Sequence, residues 1–380
     1  MKVIHVTTGL HVGGAEMMLL KLLGAMDRQQ FAPTVISLVP GGECRTAIEA
    51  LGIPVHDLGL KPGQVTPGGV LALRRLGKML TPDVIQGWMY HGNTAATLLA
   101  KFVVGEPRLY WNIRHAVHDL GHEKRTTRAL IRLGAMASRR PAGIIFNSAV
   151  SLQQHAALGY HRDGCLVIPN GFDTAVFKPD PAAGPALRRQ LHLAPQTPVV
   201  GMVARLHPHK GHLNFLAAAE RVHGHRPDVH FVMVGSGVTE MDPELGGFLL
   251  GKSLRDRVHL LGPRNDVARL MPGLDLLCVS SVTEAFPNVL GEAMSCGVPC
   301  VSTEVGEAAA IIGPTGSTVP ANDPAALASG LLELLQLDAA ARAALGEQGR
   351  RRISERYSLA AVARRFAALY QSGTAGASAV

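Results

Sequence analysis

Short apolar runs, each long enough for one buried strand, recur along this chain with amphipathic stretches between them, and the series starts twice. The first comprises residues 2–8, 34–39, 54–58, 83–86, 109–113 and 143–147. After the Pro- and Gly-containing stretch 179–185, a second comprises residues 198–203, 230–234, 258–261, 274–279 and 299–302. Strand-length runs alternating with helix-periodic segments predict a parallel sheet covered by helices on both faces. Two such series predict two α/β units with a cleft between them, residues 1–180 and 181–357. From the cap-like Asp323-Pro324 onward the chain reads as Ala/Leu/Arg-rich helices that close the second unit. The stretch 359–370 is again helix-periodic, and the tail from Ser372 is expected to fray.

A length of 380 residues fits two cores better than one. With 47% hydrophobic and 17% charged residues, disorder is excluded. The net charge of +8 is uneven: residues 1–180 hold 19 basic and 12 acidic side chains, residues 181–380 hold 18 and 17. Such an excess suits a nucleic acid, an anionic membrane, an acidic substrate or a solvated face, and charge alone does not choose. Much of it falls on one predicted helix, 124–140, where Lys124, Arg125, Arg128, Arg132, Arg139 and Arg140 accompany Leu130, Ile131, Leu133 and Met136. That helix either packs on the core with a solvated basic face or lies on an anionic membrane. Five cysteines, an odd and sparse set, predict reduced thiols and a cytoplasmic setting, peripheral on the membrane at most. Only Val3-Ile4 separate Lys2 from His5, so no secretory leader is expected, and no apolar stretch nears the ~18 residues of a membrane span.

Three strand-to-helix loops carry the chemistry. In Ser281-Val282-Thr283-Glu284-Ala285-Phe286-Pro287, Pro287 suits a first helical turn. A helix starting there turns the N–H groups of Asn288, Val289 and Leu290 toward the strand ends, a cradle for phosphate. Glu284 and Glu292 flank it, and two carboxylates tolerate a phosphate there only if each binds a neighbouring hydroxyl. A nucleoside diphosphate sugar supplies hydroxyls on both sides. A bare pair of glutamates eight apart is usually two solvated positions, but strand, small-residue turn, Glu, Pro and helix in that order belongs to a ligand crevice. The second loop, 201–211, sends out Arg205 and Lys210, which suit a departing diphosphate. In the third, Gly13 and Gly14 follow strand one and let a backbone approach a ligand. Gly9 is too far from that pair for the Gly-x-Gly-x-x-Gly dinucleotide fingerprint, which makes a dehydrogenase a poor fit.

Gly13-Gly14-Ala15-Glu16, Pro169-Asn170-Gly171-Phe172-Asp173, Arg205 with Lys210-Gly211, and Glu284 with Glu292 together resemble, in order, the signatures of family 4 retaining glycosyltransferases of bacterial surface-polysaccharide type. The resemblance covers nearly the whole chain. It implies the GT-B fold, two Rossmann-like doubly wound domains facing across a cleft, with helix 358–372 crossing back to the first. It also implies donor contacts from Gly13, Gly14, Asn170, Gly171, Asn288, Val289, Leu290 and Glu292. Arg205 and Lys210 would meet the diphosphate, Glu284 the transferred sugar and Glu292 the ribose. By the same likeness His115 would hydrogen-bond the sugar, and His91 is an acceptor-side candidate. Departures are Ala285 and Gly306-Glu307-Ala308, where relatives often carry glycine, and Gly235-Ser236-Gly237, where an acidic middle residue is frequent.

No Asp-x-Asp occurs, so the carboxylate pair usual in metal-dependent sugar transfer is missing. Neither His115, His118 and His122 nor His207, His209 and His212 has metal-ligand spacing on a helix. The expectation is transfer of a hexosyl unit without metal or cofactor, from a UDP-sugar by likeness, to a glycan or lipid-linked acceptor in polysaccharide or lipopolysaccharide synthesis, with no nucleic-acid partner. The alternatives are a nucleotide-sugar epimerase of GT-B shape and a non-catalytic nucleotide-sugar-binding partner.

Overall fold

The computed structural model describes residues 1–61, 63–117 and 119–373. It contains two compact units, Met1–Gly171 together with the chain from Leu359, and Phe172–Ser358. In the first, strands β1 (Lys2–Thr7), β2 (Ala32–Ser37), β3 (Val55–Asp57), β4 (Val84–Trp88), β5 (Arg108–Ile113), β6 (Gly143–Phe146) and β7 (Cys165–Val167) form one sheet. Their order is β3-β2-β1-β4-β5-β6-β7, and every neighbouring pair is parallel. In the second, β8 (Val199–Val203), β9 (His230–Val234), β10 (Val258–Leu260), β11 (Leu276–Val279), β12 (Cys300–Thr303) and β13 (Gly316–Val319) take the order β10-β9-β8-β11-β12-β13, also parallel.

Both sheets bury both faces, which is why their strands read as near-continuous apolar runs. Along each strand successive side chains go to opposite layers. Val3 joins the layer with Leu19, Trp88 and Phe366, whereas Ile4 joins the one with Ile85, Leu99 and Trp111. In the second unit Val200 and Met233 pack on one side and Val199 and Val232 on the other.

Two strands lacked a signal in the sequence, β7 and β13. Both are sheet edges and partly exposed, and β13 reads Gly-Ser-Thr-Val, so neither carries a buried apolar run. The change of unit falls between Gly171 and Phe172 rather than at 180/181. Phe172 already belongs to the second core: its ring stacks 6.0 Å from Phe286 and its N–H donates to Tyr357 O at 2.8 Å.

The helix Leu359–Ser372 buries Val362, Phe366, Leu369 and Tyr370 in the first unit. Phe366 stacks on Trp88 at 6.5 Å, the Tyr370 hydroxyl donates to Gln86 Oε1, and the Tyr110 hydroxyl donates to Leu369 O at 3.3 Å. The tail residues 374–380 lie outside the described residues.

Candidate active site

In the second sheet the order reverses between β8 and β11, so their outgoing loops leave in opposite directions and open a crevice at the strand carboxyl ends. After β8 the chain makes a single tight turn, Pro208–Lys210, and ends it at Gly211 with φ of 65°. A Cβ there would sit 2.1 Å from Ser280 O, so position 211 is restricted to glycine both by conformation and by the neighbouring loop. Ser280 Oγ donates to Lys210 O and Gly211 O, and the Val282 N–H donates to His209 O at 2.8 Å. Stitched in this way, the two loops bring Lys210 Nζ to 2.5 Å from Glu284 Oε1, which also accepts from Ser281 Oγ at 2.8 Å. The Lys210 side chain is 27% exposed and that of Glu284 14%. Gly306 supports this loop from below: φ is 53°, and a Cβ would meet the carbonyl oxygens of Glu284 and Ala285 at 2.5 Å.

The helix beginning the phosphate cradle is Asn288–Ser295, with Pro287 as its non-helical cap rather than its first residue. One expected donor is corrected. The Leu290 N–H donates to Pro287 O at 3.1 Å and its side chain is fully buried, so it offers nothing to a ligand. Asn288, Val289 and, a turn further on, Glu292 are half-buried beside it. Arg205 is exposed and makes no ion pair or hydrogen bond among the described residues, unlike Lys210. His207 and His209 form an edge-on pair at 4.7 Å, while His212 is buried with Nε2 on Ala204 O at 3.3 Å, so these three do not converge. His118 lies outside the described residues, and among those described no three His, Cys, Asp or Glu side chains group as metal ligands would.

The first unit gathers its candidates at the carboxyl edge of its own sheet. Gly13 caps the helix Gly14–Ala25 in extended conformation. A Cβ on Gly13 would meet Glu16 Oε2 at 2.4 Å, whereas one on Gly14 would meet nothing within 4 Å. His91 lies in the first turn of Met89–Ala100, half-buried, and burial holds it below the usual histidine range.

His115, after β5, belongs to a relay the sequence did not disclose. His155 Nδ1 lies 2.7 Å from Ser151 O, which can only accept, so Nδ1 carries the proton and Nε2 the lone pair. Burial pushes His155 down to about 4, consistent with that neutral ring. The Tyr90 hydroxyl therefore donates to His155 Nε2 at 2.8 Å and accepts from His115 Nδ1 at 3.3 Å. His115 Nε2 turns to Glu123 Oε1 at 3.4 Å.

Asn170 and Gly171 are accounted for by packing. Asn170 Oδ1 accepts from Arg114 Nη1 at 2.7 Å, and a Cβ on Gly171 would press on Leu359 Cα at 3.0 Å and Val362 Cβ at 3.3 Å. Arg114, missed at the outset, is a buried guanidinium whose pKa burial lowers to about 9. It donates to Ile168 O at 3.2 Å and lies over Trp88 and Phe366. No periodicity distinguishes such a residue from a surface arginine.

The expected basic helix is Arg125–Ala137. Its apolar stripe divides: Ile131 is buried, Leu130 half-buried, and Leu133 and Met136 are 58% and 84% exposed. No helix among the described residues is long and apolar enough to cross a membrane.

Residues 12–176 match the family model described as Glycosyltransferase Family 4, and residues 197–337 the model described as Glycosyl transferases group 1. The chain is 34% identical over 141 residues to UDP-Gal:alpha-D-GlcNAc-diphosphoundecaprenol alpha-1,3-galactosyltransferase of Escherichia coli, covering 37% of this chain and 36% of that one. It is 30% identical over 216 residues to a GDP-mannose-dependent monoacylated alpha-(1-6)-phosphatidylinositol monomannoside mannosyltransferase of Corynebacterium glutamicum, covering 54% and 55%. The matches thus span 36% and 55% of these two relatives' length. Over 98% of this chain and 100% of the other, the structure superposes on HepE of Anabaena in complex with UDP, with a TM-score of 0.84 and 25% identity. WaaG, a glycosyltransferase involved in lipopolysaccharide biosynthesis, has the same fold at a TM-score of 0.72 and 17% identity over 98% and 100%. Two parallel Rossmann-like sheets, a Lys–Glu pair at the switch point of the second, and both family models in sequence order identify this chain as a member of glycosyltransferase family 4 with the GT-B fold.

Proposed function

We propose that this chain is a retaining, metal-independent hexosyltransferase that uses a nucleotide diphosphate sugar, a UDP-sugar by preference, and acts on a glycan or lipid-linked acceptor in surface-polysaccharide assembly. The observation that carries the reading is the Lys210–Glu284 pair, delivered by two different strand exits to the switch point of one sheet. Strand-end crevices of this kind take ligands, and a cation beside a helix N-terminus suits a diphosphate.

Without donor, Glu284 holds Lys210. A diphosphate brings further negative charge for the ammonium to share, and the carboxylate is then left to accept hydrogen bonds from sugar hydroxyls. Arg205, exposed on a flexible stem, adds a second cation to the leaving group. The donor C1–O bond breaks as negative charge builds on the diphosphate, where Lys210 and Arg205 stabilise it. The acceptor hydroxyl attacks C1 on the face the diphosphate leaves, forming the new C1–O bond, and its proton passes to a diphosphate oxygen. No protein base is needed. The family resemblance assigns His115, held through Nδ1 by Tyr90, to the sugar and makes His91 the acceptor-side candidate.

The preference for uridine draws on HepE, crystallised with UDP, and on the galactosyltransferase that uses UDP-Gal; the mannosyltransferase uses GDP-mannose. A cytoplasmic setting is proposed with it, the basic helix resting on an anionic membrane. Sedimentation with anionic vesicles that leaves the protein in the supernatant would remove that clause.

The test is a thermal-shift panel of UDP, GDP and ADP with their sugars, followed by transfer assays on Lys210→Ala. UDP is expected to raise the melting temperature most. Lys210→Ala is expected to lose about 10²–10³ in turnover, as for loss of a transition-state donor. Full transfer with unchanged donor affinity in that variant would refute the mechanism, and an inverted anomer by NMR would refute retention.

A further inference from the structure

The first unit contains a cavity of about 350 Å³ at the carboxyl edge of its sheet. Leu38, Leu58 and Thr8, which follow β2, β3 and β1, line it together with His91. Leu73, Ala95 and Leu98 make its walls. That volume is within the range of small-molecule sites, and it is lined mainly by hydrocarbon, with a few polar side chains such as Thr8, Thr66, His91 and Thr94 among it. His91 is held toward its neutral form by burial, which leaves Lys61 as the cation of the lining. A polyhydroxylated sugar in this space would lose water without recovering its hydrogen bonds. An alkyl or isoprenyl chain would lose nothing.

The rim has the opposite character. Lys61 brings a cation to the lining from an exposed loop, and Thr126 and Leu130 line it from the helix Arg125–Ala137, whose arginines are not among the lining residues. Val65, on the same rim, is 84% exposed. Hydrocarbon walls with one lysine at their edge complement an amphiphile with an anionic head.

We propose that this cavity binds the hydrocarbon chain of a lipid phosphate or pyrophosphate, with the phosphate at Lys61. That the bound molecule is the sugar acceptor rests on the glycosyl-transfer reading; that it binds does not.

The test is titration calorimetry of the whole protein, saturated with UDP, against octyl, decyl and dodecyl phosphate below their micelle concentrations. Affinity is expected to rise by up to about fourfold per methylene until the cavity is full. Ala95→Phe, which fills the space, is expected to weaken dodecyl phosphate at least tenfold. Should that variant not fold, Lys61→Glu on the exposed rim serves: it is expected to weaken dodecyl phosphate and leave dodecyl maltoside, with its neutral head, unchanged. Absence of saturable binding, affinity independent of chain length, or tighter binding of 2-naphthyl phosphate than of any alkyl phosphate would overturn the proposal, the last in favour of an aromatic aglycone. The UDP shift and the Lys210→Ala assay read the second unit, so failure here leaves the glycosyl-transfer reading intact, and failure there leaves the lipid site intact.

Discussion

The two sheets are built alike, parallel strands with a reversal of order at one point, and each turns its strand exits into a candidate site. The chemistry at those exits differs. In the second unit the switch point holds an ion pair, a helix N-terminus and an exposed arginine. In the first, hydrogen bonds link neutral rings, Tyr90 and His155, to His115, and the space beside them is lined with hydrocarbon. A common scaffold has been given one charged edge and one mostly apolar edge. The topology says where a ligand goes; only the side chains say which.

The contrast can be broken most directly at the charged edge. Glu284→Ala is expected to cut transfer by about 10²–10³ at saturating donor, whereas His91→Ala acts chiefly on the acceptor KM. Steady-state kinetics on both variants decides, and equal losses in kcat would erase the proposed division of labour.

Acid should act on both units next. Burial lowers His5 to about 3 and His155 to about 4 in the first unit, and lowers His230 in the second as well. Their folded values lie below the ordinary 6.5, so the unfolded chain binds more protons between them, and stability falls as pH drops from about 6.5 toward 4. Each such histidine is worth up to about 3 kcal/mol over that window. Urea midpoints at pH 7, 6 and 5 should fall steadily, and His155→Phe should flatten the slope.

Arg114→Ala is expected to cost about 2 kcal/mol, through the lost hydrogen bonds to Asn170 Oδ1 and Ile168 O and the space left beside Trp88 and Phe366. The UDP-induced melting shift should survive, since Arg114 serves the first unit. The smallest effect belongs to Gly171→Ala, about 1 kcal/mol, because the new methyl presses on the backbone at Leu359. A denaturant midpoint unchanged from the parent would mean that the helix yields freely there.

Which parts of this were legible beforehand follows from where the signal lives. Most strands announce themselves as apolar runs, so eleven segments were visible, including the edge strands β3 and β10, while β7, three residues long and only half-buried, and β13, Gly-Ser-Thr-Val, were not. Lys210 and Glu284 could be nominated because each follows a strand, but their pairing depends on Gly211 and Gly306 admitting the neighbouring loop. Pairing across 74 residues leaves no local trace. Asn170 and Gly171 resembled donor contacts, yet their neighbours, Arg114 and the last helix, lie far off in sequence. The His115–Tyr90–His155 relay was hidden for the same reason, and so was the cavity, whose walls come from loops and helices scattered between residues 8 and 130.

The helix Leu359–Ser372 has a consequence for how the molecule is made. Phe366 and Tyr370 fill the centre of the amino-terminal core, so that core stays open while all of Phe172–Ser358 is being synthesised. The later-encoded unit, contiguous in sequence, has every residue it needs first. During translation the first core can therefore acquire its last side chains only after the second unit has been made in full.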